Sequence, residues 1–398
     1  MGPQTTDQGP GTTARPHIAS RFRTFQVRNV MASVLSRLNP QLASLPVYVP
    51  GKPIEHVARE YGLNPASIIK LASNENPLGP SPQAVTAMQA ALGQLHLYPD
   101  GSAHALKAAL AQGLSVEPAN LILGNGSNEV LEFIAHAFLA PGDEVVVSQH
   151  CFAVYPIVTA LMGATLVTVP ALPGFQADIP AMIRAISGRT KVLFLANPNN
   201  PTGTLTSRED VSRLLASVPE DVLIAMDEAY IEFLDDPIDL LPLIRVGSHP
   251  NLLLSRTFSK IYGLAGLRLG YGLGAPALCA ALEKVREPFN INAIAQAAAV
   301  ASLGDMEHQA RTRANNRAGL EFYNRVLFQL GLEVVPSHAN FVLVKVGDGA
   351  RVFMELQKRG VITRPMGAYQ LPEWLRISVG TASENERCVR ALREILGK

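Results

Sequence analysis

Lys260 is the residue of this chain best placed to do covalent chemistry. It closes Ser255-Arg-Thr-Phe-Ser-Lys260, and Arg268 follows eight residues later. The run from Asn251 to Ser255 is mostly apolar and short enough to be a buried strand. Lys260 therefore lies just past a strand's carboxyl end, the edge at which open α/β sheets bind ligands. The chain has nine lysines, and only this one sits in such a loop among hydroxyls and glycine. A lysine amine can hold an aldehyde as a Schiff base, while Thr257, Ser259 and Arg268 are of the types that bind phosphate. Together they suit a phosphorylated aldehyde, although an isolated Ser-Lys pair also reads as an ordinary solvated loop.

Three other stretches share the strand-end setting. Gly124-Asn-Gly-Ser-Asn-Glu129 separates a strand from a helix. Glycine permits close approach and the free N–H groups of a helix start make a phosphate cradle, while Ser127 would serve equally as a simple helix cap. Ala196-Asn-Pro-Asn-Asn-Pro-Thr-Gly203 has turn chemistry in six of its eight residues, and its side-chain amides could donate to a phenolic oxygen on a ligand. Val222-Leu-Ile-Ala-Met-Asp-Glu-Ala-Tyr230 ends a buried strand in two carboxylates. An acid there is costly unless it meets a cation or a metal. No histidine cluster suggests a metal, so a protonated pyridine nitrogen is an apt partner for Asp227. Such an ion pair keeps the ring cationic and able to accept electrons. A magnesium-type acid pair or a helix-start carboxylate is the alternative. Tyr230 can reach a hydroxyl of the same ligand.

These loops need a sheet to hold them. From Asn120 onward strand, loop and helix repeat. Strand-length apolar runs occur at 121–124, 143–148, 165–169, 192–196, 222–226, 252–255 and 269–273, with helical patterns between most of them. Runs that are apolar throughout imply strands buried on both faces. The expectation is an α/β fold with a doubly wound, mainly parallel seven-stranded sheet. Before it stand a short amphipathic helix at Val34 to Leu45, a Pro/Gly arm at 47–53, a strand at Ile68 to Ala72 and helices near 83–95 and 104–112. After Ala275 come helical stretches near 276–286 and 293–302 and a long polar helix from Asp305 to about Leu330. The last seventy or so residues read as a small α+β unit: strand 341–346, helix 350–359, strand 375–379, helix 384–396.

Composition bounds the partners. The 398 residues are 47% hydrophobic and 17% charged with a net charge of +1, enough to bury a large core and no reason to expect nucleic acid or an anionic membrane. No apolar run reaches the roughly 18 residues a membrane helix needs. Cys151, Cys279 and Cys388 lack disulfide or zinc spacing and suit a reducing cytoplasm. Residues 1–30 have little to bury and read as a disordered leader. Arg21, Arg23 and Arg28 give it a transit-peptide flavour, with an upstream extension before Met31 as the simpler reading.

Taken together and in order, Asn197-Pro-Asn-Asn-Pro-Thr-Gly203, Asp227-Glu-Ala-Tyr230 and Ser255-Arg-Thr-Phe-Ser-Lys260 with Arg268 resemble the fold-type I pyridoxal-phosphate aminotransferases, over nearly the whole chain from Tyr48. Tyr48-Val-Pro-Gly51, Asn74-Glu-Asn-Pro-Leu-Gly79, Tyr98-Pro-Asp-Gly101, Ser337-His-Ala-Asn-Phe341, Thr363-Arg-Pro-Met-Gly367 and Leu375-Arg-Ile-Ser378 narrow it to the branch acting on histidinol phosphate. The resemblance implies pyridoxal 5'-phosphate as cofactor, tethered to Lys260, which also shuttles the proton. Asp227 then pairs with the pyridine nitrogen, Asn200 and Tyr230 bond the phenolic oxygen, and Phe152 stacks on the ring. Ser127 and Asn128, through backbone N–H groups, with Thr257, Ser259 and Arg268, hold the phosphate. Tyr98 reaches the phosphate of a neighbouring subunit, which implies a homodimer. Two positions depart from the pattern: Asn128 stands where Asp is frequent, and Cys151 where a small hydroxyl residue is common.

The implied reaction moves an amino group between L-glutamate and imidazole acetol phosphate, a step of histidine biosynthesis. Arg364 and Arg376 are the implied substrate-anion residues, with Tyr48 and Asn340 closing the pocket. The implied domains are a leader at 1–30, an arm at 31–75 packing with the small domain, a large cofactor domain at 76–304 and a small C-terminal domain at 305–398. An aromatic-amino-acid aminotransferase and a decarboxylase of phosphorylated amino acids are the enzymatic alternatives. A non-catalytic descendant would be expected to have lost Lys260 or Asp227, and both are present. A dehydrogenase is disfavoured because no Gly-x-Gly-x-x-Gly turn opens a strand–helix unit.

Overall fold

The computed structural model describes residues 1, 2, 4, 34–45, 47 and 51–398. The leader expected at 1–30 lies outside them apart from Met1, Gly2 and Gln4, and so does Tyr48. The chain forms two compact units, Met1–Ser44 and Leu45–Lys398. In the first, the helix expected over 34–45 does not form as one element. The N–H groups of Arg37 and Leu38 bond back three residues, to Val34 and Leu35, and a 3₁₀ helix follows at Pro40–Ser44. Asn39 precedes a proline, which disfavours the α conformation there and divides the segment.

The second unit is built on a seven-stranded sheet. In chain order, a two-residue strand β1 (Ile69–Lys70) is followed by β2 (Leu121–Gly124), β3 (Glu144–Ser148), β4 (Thr165–Val169), β5 (Thr190–Ala196), β6 (Leu223–Asp227), β7 (Leu252–Thr257) and β8 (Gly270–Gly274). The large sheet has the order β2-β8-β7-β6-β5-β3-β4. Its pairs from β7 to β4 are parallel, and β8 runs antiparallel to both β2 and β7. This is the doubly wound, mainly parallel α/β sheet expected, with one strand reversed.

The apolar runs do not alternate because each strand buries both faces. On β6, Ile224 and Met226 join one apolar cluster while Leu223 and Ala225 join another. On β7, Leu252 and Leu254 lie on the first side and Leu253 on the second. β4 is the exception: it is an edge strand, and of its five residues only Val169 is buried. Helices cover the faces, among them Pro82–Ala91, His104–Leu114, Ser127–Phe138, Val154–Leu161, Arg208–Ser217 and Ala293–Gly304. Ser81, Ser207 and Asn292 cap three of these, each side-chain oxygen accepting from an N–H in the first turn.

The long helix Met306–Gln329 starts at Asp305, whose carboxylate accepts from the His308 N–H. Beyond it a four-stranded antiparallel sheet orders β9 (Val334–Val335), β10 (Phe341–Lys345), β12 (Arg364–Pro365) and β13 (Trp374–Ser378) as β12-β13-β10-β9. β11 (Val361–Ile362) pairs in parallel with β1, tying residues 69–70 to the C-terminal part. Tyr323 and Leu327 of the long helix, Val342 and Val344 of β10, Leu375 and Ile377 of β13 and Leu392 of the last helix, Ala382–Leu396, share a third cluster.

Leu254 is fully buried midway along β7, the strand that leads to Lys260. Leu254→Ala is expected to lower unfolding stability by about 2–5 kcal/mol, the range for a buried leucine truncated to alanine. Urea denaturation checks it; a loss below ~1 kcal/mol would mean that this position is not tightly packed.

Candidate active site

The strand register brings the singled-out loops to one edge. Ala196 of β5 pairs with Asp227 of β6, and Asp227 with Ser255 of β7, so β5 and β6 end level and β7 runs two residues further. β8 is reversed, and its first residue, Gly270, pairs with both Thr257 and Gly124. The reversal therefore carries Arg268, just before β8, to the edge where β2 and β7 finish. A cavity of about 380 Å³ opens there. Ser127, Asn128, Phe152, Asn200, Asp227, Tyr230, Thr257, Ser259, Lys260, Arg268, Arg364 and Arg376 all line it. Tyr98 lies elsewhere, 83% exposed and stacked on Phe289 with ring centroids 4.8 Å apart. Asn340 is buried beneath the cavity and does not line it; its Nδ2 donates to the Asn74 carbonyl at 3.0 Å.

At one pole the groups fit an anion. Ser127 does not cap its helix: Gly126 holds the cap position at φ 86° with no side-chain bond to the first turn. Ser127 and Asn128 thus stand in the first turn of a helix that begins at the cavity edge, and a helix start favours a negative charge. Close backbone approach is compulsory here. A Cβ on Gly270 would lie 2.2 Å from the Ser127 nitrogen, and one on Gly126 would lie 2.5 Å from Arg268 Nη2. Arg268 Nη1 donates to the Ala265 carbonyl at 3.0 Å and to Ser259 Oγ at 3.4 Å. Thr257 Oγ1 accepts from the Ser259 N–H at 3.1 Å.

On the floor, alternation separates Asp227, which ends β6, from Glu228, which follows it. Glu228 turns away and meets Arg256 Nε at 2.8 Å, a buried ion pair. Asp227 faces the cavity, accepting from the Tyr155 hydroxyl at 2.8 Å and the Ala229 N–H at 3.2 Å. Burial pushes its pKa up, while those two donors and Lys260 hold it down. A carboxylate in this setting is suited to a cation that arrives with a ligand.

Lys260 Nζ donates to the Ser73 carbonyl at 3.2 Å and lies 5.7 Å from the Tyr230 ring centroid. Burial lowers its pKa to about 8; Arg376 and Arg268 act in the same direction, against Glu75 and Asp227. A far larger fraction of the amine is therefore neutral and nucleophilic near neutral pH than for a lysine in water. The Tyr230 hydroxyl accepts from Asn74 Nδ2 at 2.9 Å, which leaves its own proton to donate, and burial raises its pKa to about 12.

The Asn197–Gly203 loop sorts its amides. Asn197 Oδ1 accepts from the Thr206 N–H, and Asn199 Nδ2 donates to Thr202 Oγ1, both at 2.8 Å, so these two serve the loop. Asn200 alone of the three faces the cavity, with its Oδ1 accepting from Arg376 Nη1 at 2.5 Å. Arg376 Nη2 donates to the Ala72 carbonyl at 2.8 Å. Arg364 and Arg376 are direct partners across the β12–β13 ladder. Like charges placed opposite each other on a ladder repel, and an anion between them relieves the repulsion.

Several lining or supporting residues carried no sequence signal strong enough to name their roles. Ser73 and Glu75 line the cavity, Glu75 held by Lys70 at 2.7 Å. Asn74 sits at φ 55°, takes Ser378 Oγ on its N–H and Tyr230 on its amide, and so joins the N-terminal arm to β13 and the floor. Tyr155 and Tyr369 are the others. The polar run Asn74–Gly79 was a signal for the first group; Tyr155 sits in an apolar helix and gave none.

This chain belongs to a family described as aminotransferase class I and II, whose model matches residues 66–392, and it is a transaminase. Among its relatives, histidinol-phosphate aminotransferase of Akkermansia muciniphila is 49% identical over 92% of this chain and 100% of its own. Histidinol-phosphate aminotransferase 1 of Thiobacillus denitrificans is 51% identical over 90% and 93%. The crystal structure of histidinol-phosphate aminotransferase from Sinorhizobium meliloti in complex with pyridoxal-5'-phosphate superimposes with a TM-score of 0.82 at 31% identity, covering 91% of this chain and 98% of that one.

The depressed Lys260 pKa has a direct consequence. Capture of a small aromatic aldehyde at Lys260, trapped with borohydride, is expected to rise with pH through a midpoint at about 8 and to level off well above it. A midpoint near the ordinary lysine value of 10.5 would show that burial and the two arginines do not act on this amine.

Proposed function

We propose that this transaminase moves an amino group between L-glutamate and imidazole acetol phosphate, forming histidinol phosphate in histidine biosynthesis, with pyridoxal 5'-phosphate held in the cavity. The observation that carries the reading is the convergence on one cavity of a buried, readily deprotonated Lys260, a buried Asp227 and an anion pole formed by Arg268 and an uncapped helix start. Ser127 and Asn128 through their N–H groups, with Thr257, Ser259 and Arg268, would hold the cofactor's phosphate. Asp227 would face its ring nitrogen, Asn200 and Tyr230 its phenolic oxygen, Phe152 its ring face, and Lys260 its aldehyde. Bound there, the cofactor supplies a carbonyl that takes up the substrate amine and a cationic ring that accepts the electron pair left when Cα loses its proton.

The chain's own residues do the rest. Asp227 keeps a positive charge on the ring side of the floor. Lys260 Nζ would take the Cα proton and deliver it to the cofactor's aldehyde carbon. Arg364 and Arg376 offer planar guanidinium forks that accept either a carboxylate or a phosphate monoester, as a site serving both partners requires. Tyr48 and Asn340 are assigned to closing the pocket, Asn340 by bracing Asn74 from beneath.

Oligomeric state and location complete the proposal. Tyr98 stands exposed beside Leu92, Leu95 and Leu97 in the sequence, each of these leucines more than half exposed, and stacks on the exposed Phe289. Exposed apolar groups of this kind favour a homodimer in which Tyr98 meets the partner's phosphate. We take 76–304 as the large domain and 305–398 with the arm at 31–75 as the small one. The free cysteines Cys151, Cys279 and Cys388 are compatible with the cytoplasm, and among the described residues no helix is long and apolar enough to cross a membrane.

Lys260→Ala is expected to keep the fold by circular dichroism and lose transamination by at least about 100-fold, the scale of a lost general acid–base. An alanine variant that still turns over removes Lys260 from the chemistry. Arg376→Ala is expected to raise KM for histidinol phosphate by roughly 10–100-fold, the worth of a lost charged hydrogen-bond pair. With glutamate as common donor, a panel comparing imidazole acetol phosphate with phenylpyruvate decides between this acceptor and an aromatic one. Stoichiometric 2-oxoglutarate excludes the decarboxylase.

A further inference from the structure

We propose that Tyr155 is a positioning residue for this reaction, one phenol that holds Asp227 as an oriented anion and sets Phe152 beside it. The inference rests on the reading above, in which Asp227 faces a ring nitrogen. Tyr155 lies on the helix Val154–Leu161 and is fully buried. Its ring stacks on Phe194 of β5, with centroids 4.6 Å apart and planes 5° apart. It meets the cavity-lining Phe152 edge-on, at 5.8 Å and 85°. Phe194 is paired across the ladder with Ala225, which lies two residues before Asp227 on the same face of β6. The ring's place is thus fixed from two sides, and its hydroxyl ends on Asp227 Oδ2 at 2.8 Å.

Packing alone does not call for that hydroxyl. Phenylalanine would fill the same apolar volume, and a buried phenol costs free energy unless it is hydrogen-bonded. Here the partner is a carboxylate, and the bond favours the carboxylate's ionised form. Asp227 has one protein donor on each oxygen, Tyr155 on Oδ2 and the Ala229 N–H on Oδ1. The remaining ionisable groups around the pair are Lys260, Tyr230, Cys151 and Glu228, and Glu228 is committed to Arg256. With both donors in place, a proton shared between Asp227 and a pyridine nitrogen rests on the nitrogen. Without the phenol the carboxylate is more basic, the proton moves toward it, and the ring accepts electrons less well.

The test uses the holoenzyme. Removing positive charge from the ring lets the Lys260-linked nitrogen hold its own proton to higher pH. Tyr155→Phe should therefore move the pH titration of the visible cofactor band upward and lower kcat by about tenfold, the scale of one charged hydrogen bond. The KM for glutamate should change less than about twofold. Site-specific 3,5-difluorotyrosine at 155 keeps the ring but strengthens the donor, and should move the titration downward. Opposite shifts support the proposal. A Tyr155→Phe enzyme with the wild-type titration and kcat overturns it, as do shifts of the same sign in both variants, which would report packing. If Tyr155→Phe does not fold, the fluorinated protein decides: a downward shift supports, no shift overturns. Borohydride labelling of wild-type Lys260 separates this from the underlying reading, since its absence sinks that reading and its presence leaves only the Tyr155 role at stake.

Discussion

A carboxylate held in the dry interior at the end of an apolar strand is the constraint around which this molecule is arranged. Asp227 closes β6, a strand buried on both faces, and burial there favours the neutral acid. Two donors and a nearby amine offset that preference without cancelling it. The same low-dielectric setting acts in the opposite sense on Lys260, making its amine easier to deprotonate. One environment therefore prepares an anion seeking a cation and an amine ready to act as a nucleophile. Neither property belongs to the residue types in water.

Geometry around that pair follows from register. Three neighbouring parallel strands that end at one edge supply the floor, and the reversed β8 brings Arg268 to the same edge as the β2–helix turn. The anion pole depends on the absence of side chains as much as on their presence, since a Cβ on Gly270 would collide with the backbone it must approach. On the opposite side, β12 and β13 set two arginines as ladder partners. Asn200 and Asn74 stitch the two parts together, one through Arg376 and the other through Tyr230 and Ser378. The anion pole and the arginine pair of the cavity are thus mechanically joined.

Much of this was legible in the residues alone. The strand β2 was readable residue for residue and β5 to within two residues of its start, because apolar runs this short, bounded by turn residues, are strand-length and too short for a helix. Lys260, Asp227 and Arg268 stood out because chemically costly residues follow directly on such runs. The helix expected at 34–45 failed because periodicity was weighed over the proline inside it. β4 was apolar enough to resemble a central strand, and only the sheet order reveals it as an edge.

What the sequence determined by itself is local: which runs become strands, which turns follow them, and which ionisable groups must end up where water is scarce. Tertiary structure decided partnership. That Glu228 turns from Asp227 to Arg256, that Asn200 and not Asn197 or Asn199 meets the cavity, and that Tyr155 reaches across from another helix are outcomes of packing between segments far apart in the chain. A hydrogen bond between residues separated by 72 positions leaves no mark in spacing or periodicity. It exists only once the sheet has set both ends within reach.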